Sequence, residues 1–141
     1  MYYGAAPMSP SKLAELQAAF GNNFIQVYGS TEHFGVALSM SKADHLVEDG
    51  DDSHLASAGR PAPFTELEIM DDDGNPVPRG ETGEIWLRSR AIVPGYFGNP
   101  EQTASEFQDG FWKSGDIGRI DERGFFHIVD RKKDMIISGG F

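Results

Sequence analysis

The first candidate for chemistry is the segment Val27–Glu32, which places an aromatic ring, a glycine, two hydroxyls and a carboxylate in direct succession. It follows Phe24–Tyr28, a short apolar run typical of a β-strand. Such a loop can stack a base on Tyr28, hydrogen-bond a phosphate through Thr31 and hold Mg²⁺ through Glu32. The alternative is an ordinary turn after a strand, with a solvated glutamate, and short motifs of this kind often arise by chance.

Two further segments carry charge at positions where a ligand could use it. In Ser114-Gly115-Asp116, an ionised carboxylate could accept two hydrogen bonds from a ribose diol, although an Asp after Gly more often caps its own turn. Residues 130–134, Asp-Arg-Lys-Lys-Asp, lie between two apolar runs. In isolation they are better explained as a hairpin connection whose side chains are solvated.

Composition and spacing exclude several other sites. The chain has no cysteine, and its four histidines lie far apart, so neither a thiolate nucleophile nor a zinc site is expected. Asp71–Asn75 resembles a calcium loop, but Pro76 occupies the sixth place, where an EF-hand needs glycine. A net charge of −10 argues against binding to nucleic acid or to an anionic membrane. With no apolar stretch long enough for a membrane span and no signal peptide at Met1–Gly4, a cytoplasmic protein is expected.

The elements that must position these residues can be outlined from turn and capping signals. Ser9 followed by Pro10 begins a helix that Gly21 ends, and Asn99 followed by Pro100 begins a second one. The acidic residues 43–54 are expected to form an exposed loop. Glycine-containing turns at 73–75 and 122–124 separate short β-type runs. These runs are Thr65–Met70, Glu84–Arg88, Ile117–Ile120, Phe125–Val129 and Met135–Ile137.

This pattern predicts an α+β fold: a short α/β piece followed by a β-rich, barrel-like subdomain. The predicted division is residues 1–33, the end of an α/β layer; residues 34–129, the barrel-like part; and residues 130–141, a connector. The mixture is unusual for an independent domain, and the chain stops in a glycine-rich stretch after an apolar run. We therefore expect a fragment of a larger protein.

Taken together in order and spacing, the motifs closely resemble the serial core motifs of the adenylate-forming (AMP-binding) superfamily. Within it the chain looks most like an AMP-forming acyl-CoA synthetase acting on fatty or aryl acids. Ser30 stands where peptide-synthetase adenylation domains usually carry proline, and Ser114 stands where the family commonly has threonine. The resemblance covers essentially the whole chain and rests on five segments: Gly4–Pro7, Tyr28–Glu32, Gly83–Ile85, Ser114–Asp116 and Asp130–Asp134.

The resemblance implies a role for each matching residue. It implies that Glu32 binds Mg²⁺, that Thr31 binds ATP phosphate, and that both serve catalysis. Asp116 would hold the ribose hydroxyls, and Arg131 would reach the ribose or a phosphate. Lys133 would be the hinge about which a small C-terminal domain swings. The remaining implied nucleotide or CoA contacts are Ala5, Ala6, Pro7, Gln26, Tyr28, Gly29, Gly139 and Gly140.

The implied reaction activates a carboxylic acid with ATP and transfers the acyl group to CoA, with Mg²⁺ as the metal. The family's phosphate-binding loop would precede Met1 and its catalytic lysine would follow Phe141, so the isolated chain is expected to be inactive. The alternative is a non-catalytic nucleotide-binding or interaction β-module derived from such an enzyme. The sequence does not specify the acid or the oligomeric state.

Overall fold

The computed structural model describes residues 1–6, 8–47 and 50–132. Within these ranges the chain forms two β-sheets, two α-helices and two short 3₁₀ turns. The second sheet is antiparallel and curls into a half-barrel, which confirms the predicted α+β class with a barrel-like part.

Helix α1 spans Pro10–Phe20 and has the predicted caps. The Ser9 hydroxyl accepts a hydrogen bond from the Lys12 amide at 3.3 Å, and the Gly21 amide donates to the Gln17 carbonyl at 2.8 Å. Both bonds satisfy backbone groups that a helix end leaves without partners. The helix buries Leu13 against Phe24, and thereby covers the start of the strand that leads to Glu32.

The first sheet has four strands: β1 (Tyr2–Gly4), β2 (Ile25–Tyr28), β3 (Leu38–Met40) and β4 (Arg60–Pro61). β1 is parallel to β2, and the other pairs are antiparallel. Of these strands, β2 corresponds to the predicted run Phe24–Tyr28. β3 and β4 join this sheet although they follow residue 33, and the division at 33/34 stays a prediction.

The second sheet has the strand order β5-β6-β8-β7, with β9 paired to the far half of β8. Helix α2 (Pro100–Glu106) precedes β7 and is capped by Asn99 as predicted. The predicted hairpin turns at 73–75 and 122–124 are also present. The strands are β5 (Thr65–Met70), β6 (Gly83–Ser89), β7 (Phe107–Gln108), β8 (Phe111–Ile120) and β9 (Phe126–Arg131).

The two sheets meet at a short backbone junction. The Ala58 amide donates to the Phe126 carbonyl at 2.7 Å, and the Phe126 amide donates to the Gly59 carbonyl at 2.8 Å. Around this junction lies the main apolar core, to which both sheets contribute. Its buried members are Ala37, Leu38, Ala58, Leu67, Ile69, Ile85, Leu87, Trp112 and Phe126.

The prediction of an exposed loop at 43–54 is wrong for its two histidines. His45 and His54 are only 1% and 4% exposed, and each lies in a 3₁₀ turn. His45 Nε2 lies 2.9 Å from the Tyr3 hydroxyl, and His54 Nε2 lies 2.8 Å from the Asp44 carbonyl oxygen. These polar contacts allow the imidazoles to be buried in a segment whose composition is otherwise that of a surface loop.

No helix in the part of the chain that the structure describes is long and apolar enough to cross a membrane.

Candidate functional site

One cavity of about 810 Å³ is lined by residues from both sheets. Its wall combines apolar surface with carboxylates, as in sites that bind a small ligand by shape and orient it with a few polar groups. Most of the residues predicted from the sequence line it. These are Ala5, Ala6, Gln26, Tyr28, Gly29, Glu32, Asp116 and Arg131.

Asp116 reaches this cavity because strand β8 bulges beside it. Trp86 pairs with Lys113, and Glu84 pairs with Ile117. A step of two residues along β6 therefore corresponds to a step of four residues along β8. Gly115 lies in the bulge with φ +74°, a left-handed conformation that glycine adopts without a steric penalty. Bulges re-aim side chains near functional sites, and this one presents Asp116 within an otherwise regular ladder.

Ser114 fixes the conformation of the bulge. Its hydroxyl donates to the Ile85 carbonyl at 2.7 Å and accepts from the Asp116 amide at 3.0 Å. The side chain thereby replaces backbone bonds that the interrupted ladder cannot form. The serine hydroxyl thus sets the backbone direction of the aspartate that follows.

The Asp116 carboxylate is held between the two sheets. The Tyr28 hydroxyl donates to Oδ2, and Arg131 Nε lies 3.5 Å from Oδ1. Burial and the neighbouring carboxylate raise the pKa of Tyr28, which therefore stays protonated and donates. The carboxylate makes side-chain contacts across the cavity rather than capping its own turn.

Glu84 ties the bulge to the end of β9. Its Oε1 accepts from the Gly115 amide at 3.1 Å, and its Oε2 lies 3.2 Å from Lys132 Nζ. Lys132 also pairs with Asp72 at 3.4 Å. Burial alone would lower the pKa of Lys132, but the two carboxylates outweigh it and raise the pKa. This part of the 130–134 charge cluster is therefore paired and not simply solvated.

The loop that carries Glu32 is fixed by backbone bonds. The Ser30 hydroxyl accepts from the His33 amide at 3.1 Å, which closes a tight turn. The Val93 amide donates to the Glu32 carbonyl at 2.9 Å, and the Phe34 amide donates to the Ala91 carbonyl at 2.9 Å. Residues on both sides of the glutamate are thus anchored to the segment after β6.

Tyr96 contacts the Glu32 carboxylate and was not found from the sequence. Its hydroxyl lies 3.1 Å from Glu32 Oε1 and also hydrogen-bonds Glu106 Oε2. Trp112 Nε1 donates to the same hydroxyl at 3.4 Å. No local pattern indicates this role, because Glu32 is 64 residues away in the chain.

Residues 1–97 match the family of AMP-binding enzymes. The chain belongs to this family. All 141 residues align at 42% identity with the medium/long-chain-fatty-acid–CoA ligase FadD8 of Mycobacterium tuberculosis and cover 24% of it. A stretch of 137 residues, which is 97% of the chain, is 43% identical to the feruloyl-CoA synthase of an Amycolatopsis species and covers 26% of that protein.

Solved structures of adenylate-forming enzymes have the same fold in this region. The amide bond synthetase McbA from Marinactinospora thermotolerans matches with a TM-score of 0.87 and 38% identity, over 96% of this chain and 26% of that one. O-succinylbenzoate coenzyme A synthetase (MenE) from Bacillus subtilis, in complex with ATP and magnesium ion, matches with a TM-score of 0.84 and 32% identity. That match covers 99% of this chain and 28% of MenE. The chain thus spans about a quarter of the length of its relatives.

Five of the predicted site residues are not among the residues that line the cavity. Thr31 is exposed and is not among the residues that line the cavity, although Ser30 and Glu32 on either side of it are. The other four lie outside the described residues, so their roles stay predictions. They are Pro7, Lys133, Gly139 and Gly140.

Proposed function

We propose that this chain is part of a longer AMP-forming acyl-CoA synthetase. That enzyme would join a carboxylic acid to the α-phosphate of ATP, releasing pyrophosphate, and would then transfer the acyl group from AMP to the CoA thiol. The observation that carries the proposal is Asp116, held by Tyr28 and Arg131 in the cavity that Glu32 also lines. The names of FadD8 and the feruloyl-CoA synthase support a fatty or aromatic acid as the substrate class.

The proposed nucleotide contacts follow from the side-chain chemistry. An ionised Asp116 has only acceptor sites, which suit the two ribose hydroxyls, and Arg131 beside it can reach a ribose or phosphate oxygen. Tyr28 offers an aromatic face to the adenine, with Gln26 and Gly29 beside it. Thr31 would bind phosphate through its hydroxyl. Ala5, Ala6 and Pro7 complete the proposed wall next to the adenine and the acyl group.

The carboxylate of Glu32 offers oxygen atoms, the ligand type that Mg²⁺ prefers. No group of three or more His, Cys, Asp or Glu residues that could hold a metal ion occurs among the described residues. Mg²⁺ does not need such a cage, because it is usually held by one or two carboxylates together with substrate phosphates and water. We propose Glu32 as the protein ligand; when bound, the cation would neutralise charge that develops on the phosphates.

The remaining assignments concern the C-terminal residues, the domain boundaries and the location of the protein in the cell. We propose that Lys133 is the hinge residue and that Gly139 and Gly140 contribute to the CoA site. We keep the predicted division at 33/34 and 129/130, and a cytoplasmic location, as parts of the same proposal. The 141-residue chain by itself is expected to release no pyrophosphate from ATP with any acid, because the segments proposed to carry the phosphate loop and the catalytic lysine lie outside it.

Acid-dependent exchange of labelled pyrophosphate into ATP, measured on the longer enzyme with a panel of fatty and aryl acids, tests the proposal. We expect exchange with at least one acid and a severe loss in Asp116→Asn, with the loss mainly in ATP affinity. Asp73→Asn makes the same charge change at an exposed turn and should leave exchange unchanged. Exchange with none of the acids, or equal effects of the two substitutions, would contradict the proposed function.

A further inference from the structure

The Tyr96 hydroxyl, which has one proton to donate, lies beside two carboxylates. Its oxygen lies 3.1 Å from Glu32 Oε1 and 2.5 Å from Glu106 Oε2. A phenol can donate one hydrogen bond, so only one carboxylate can receive it at a time. The two carboxylates therefore compete for the same phenolic proton.

Several contacts together fix the position of the Tyr96 ring. The ring meets Phe107 edge-on at 5.8 Å, and the Tyr96 amide donates to the Thr103 hydroxyl at 2.9 Å. Gly95 has φ +152°, and a Cβ there would lie 2.5 Å from Thr103 Cγ2. The loop before Tyr96 thus packs against α2 so closely that only glycine fits at position 95. This packing fixes the position of the Tyr96 hydroxyl.

Glu106 occupies an unfavourable place in its own helix. It is the last residue of α2, the end at which the helix dipole disfavours a negative charge. Its carboxylate is nevertheless held, because Gln102 Nε2 donates to Oε1 at 2.9 Å, and its Oε2 lies 2.5 Å from the Tyr96 hydroxyl. Residues that break a local rule in this way are expected at functional sites.

We infer that Tyr96 is a positioning residue for the cation-binding carboxylate, holding Oε1 of Glu32 so that Oε2 is left for the divalent cation. Among the described residues, Oε2 of Glu32 takes no hydrogen bond. Glu106 is the competing acceptor of that proton; it is held by Gln102 when the Tyr96 hydroxyl donates to Glu32, and it is not itself a ligand of the cation. The inference rests on the proposed function, because it takes Glu32 as the metal ligand.

Binding of Mn²⁺, followed by electron paramagnetic resonance in the presence of a non-hydrolysable ATP analogue, tests this role in the longer enzyme. Tyr96→Phe keeps the ring and its contact with Phe107 and removes only the hydroxyl. We expect Mn²⁺ to bind about 10–100-fold more weakly, as for the loss of other groups that orient metal ligands. AMP binding without metal should stay unchanged. Tyr2→Phe, at a residue 75% exposed, is the matched control and should change neither.

Two more variants separate the possible outcomes. Glu32→Gln should abolish Mn²⁺ binding, and Glu106→Gln, which keeps a hydrogen-bond acceptor, should weaken it far less than Tyr96→Phe does. Loss in Glu106→Gln as large as in Glu32→Gln would make Glu106 a ligand and overturn the inference. Unchanged Mn²⁺ affinity in Tyr96→Phe, with Glu32→Gln defective, would overturn it and leave the proposed function standing. Failure of the wild type to catalyse acid-dependent exchange would overturn both.

Discussion

Replacing Ser114 by alanine should weaken both the fold and the site, because one hydroxyl bridges the two sides of the bulge. The side chain is only 9% exposed, and its oxygen bonds the Ile85 carbonyl at 2.7 Å and the Asp116 amide at 3.0 Å. Each such bond contributes about 0.5–1.5 kcal/mol net, and a buried partner left unpaired costs about 1–3 kcal/mol. We expect Ser114→Ala to lower the free energy of unfolding by about 1–3 kcal/mol.

Urea unfolding followed by tryptophan fluorescence measures this loss, since Trp86 and Trp112 both belong to the sheet that contains the bulge. The midpoint should fall while the dependence on urea concentration stays the same, which indicates a change in stability and not in the extent of unfolding. Ser114→Thr keeps the hydroxyl and should retain most of the stability. Ser105→Ala, at an exposed position of α2, should change it by less than about 0.5 kcal/mol.

The reasoning fails if Ser114→Ala is as mild as Ser105→Ala. That result would mean that the backbone or solvent satisfies the Ile85 carbonyl and the Asp116 amide without the serine. In the longer enzyme, the same substitution should also weaken ATP binding, because the amide of Asp116 loses its anchor. Weakened folding with unchanged ATP affinity would separate the structural role of Ser114 from any role in orienting Asp116.

Three further predictions concern other parts of the chain. Gly59→Ala places a Cβ 2.2 Å from the Ser39 carbonyl oxygen at φ +100° and should cost about 2–5 kcal/mol in urea unfolding, whereas Gly80→Ala, with φ +90° and open space, should show the backbone strain alone. Burial lowers the pKa of His45, so the unfolded state takes up the proton first; stability should fall as pH drops from above about 6.5 toward the folded pKa, and denaturation series at several pH values should show a flatter profile for His45→Gln. Lys133→Pro, which fixes φ near −65° and removes an N–H, should preserve pyrophosphate exchange in the longer enzyme but greatly slow acyl transfer to CoA; equal losses in both assays would contradict the hinge assignment.

The features that the sequence predicts best are those set by neighbouring residues. The cap of α1 needs only Ser9, Pro10 and Gly21, and all three act as expected. Strand β3 was missed because its three residues are stable only through pairing with β2 and β4. Strand β8 was predicted from Ile117 onward, although it begins at Phe111, because Gly115 and Asp116 have the composition of a turn.

The same distinction separates the site residues that the sequence predicts from those that it does not. Asp116 was expected from its motif, but its contact with Tyr28 spans 88 residues and follows from how the two sheets meet. Tyr96 and Glu106 could not be found, because the first is a single tyrosine in a loop and the second ends an exposed-looking helix. What joins them to Glu32 is the packing of the loop at Gly95 against α2, which depends on tertiary structure.

The junction between Gly59 and Phe126 has a consequence for the energetics of ligand binding. Tyr28 belongs to the first sheet and Asp116 to the second, so a ligand held by both side chains acts as a clamp across that junction. A ligand that binds only the folded state adds about 2.7 kcal/mol to stability at a concentration of 100 times its Kd. Separation of the two halves would release the nucleotide, so AMP should stabilise their docked arrangement by the same free energy with which it stabilises the fold.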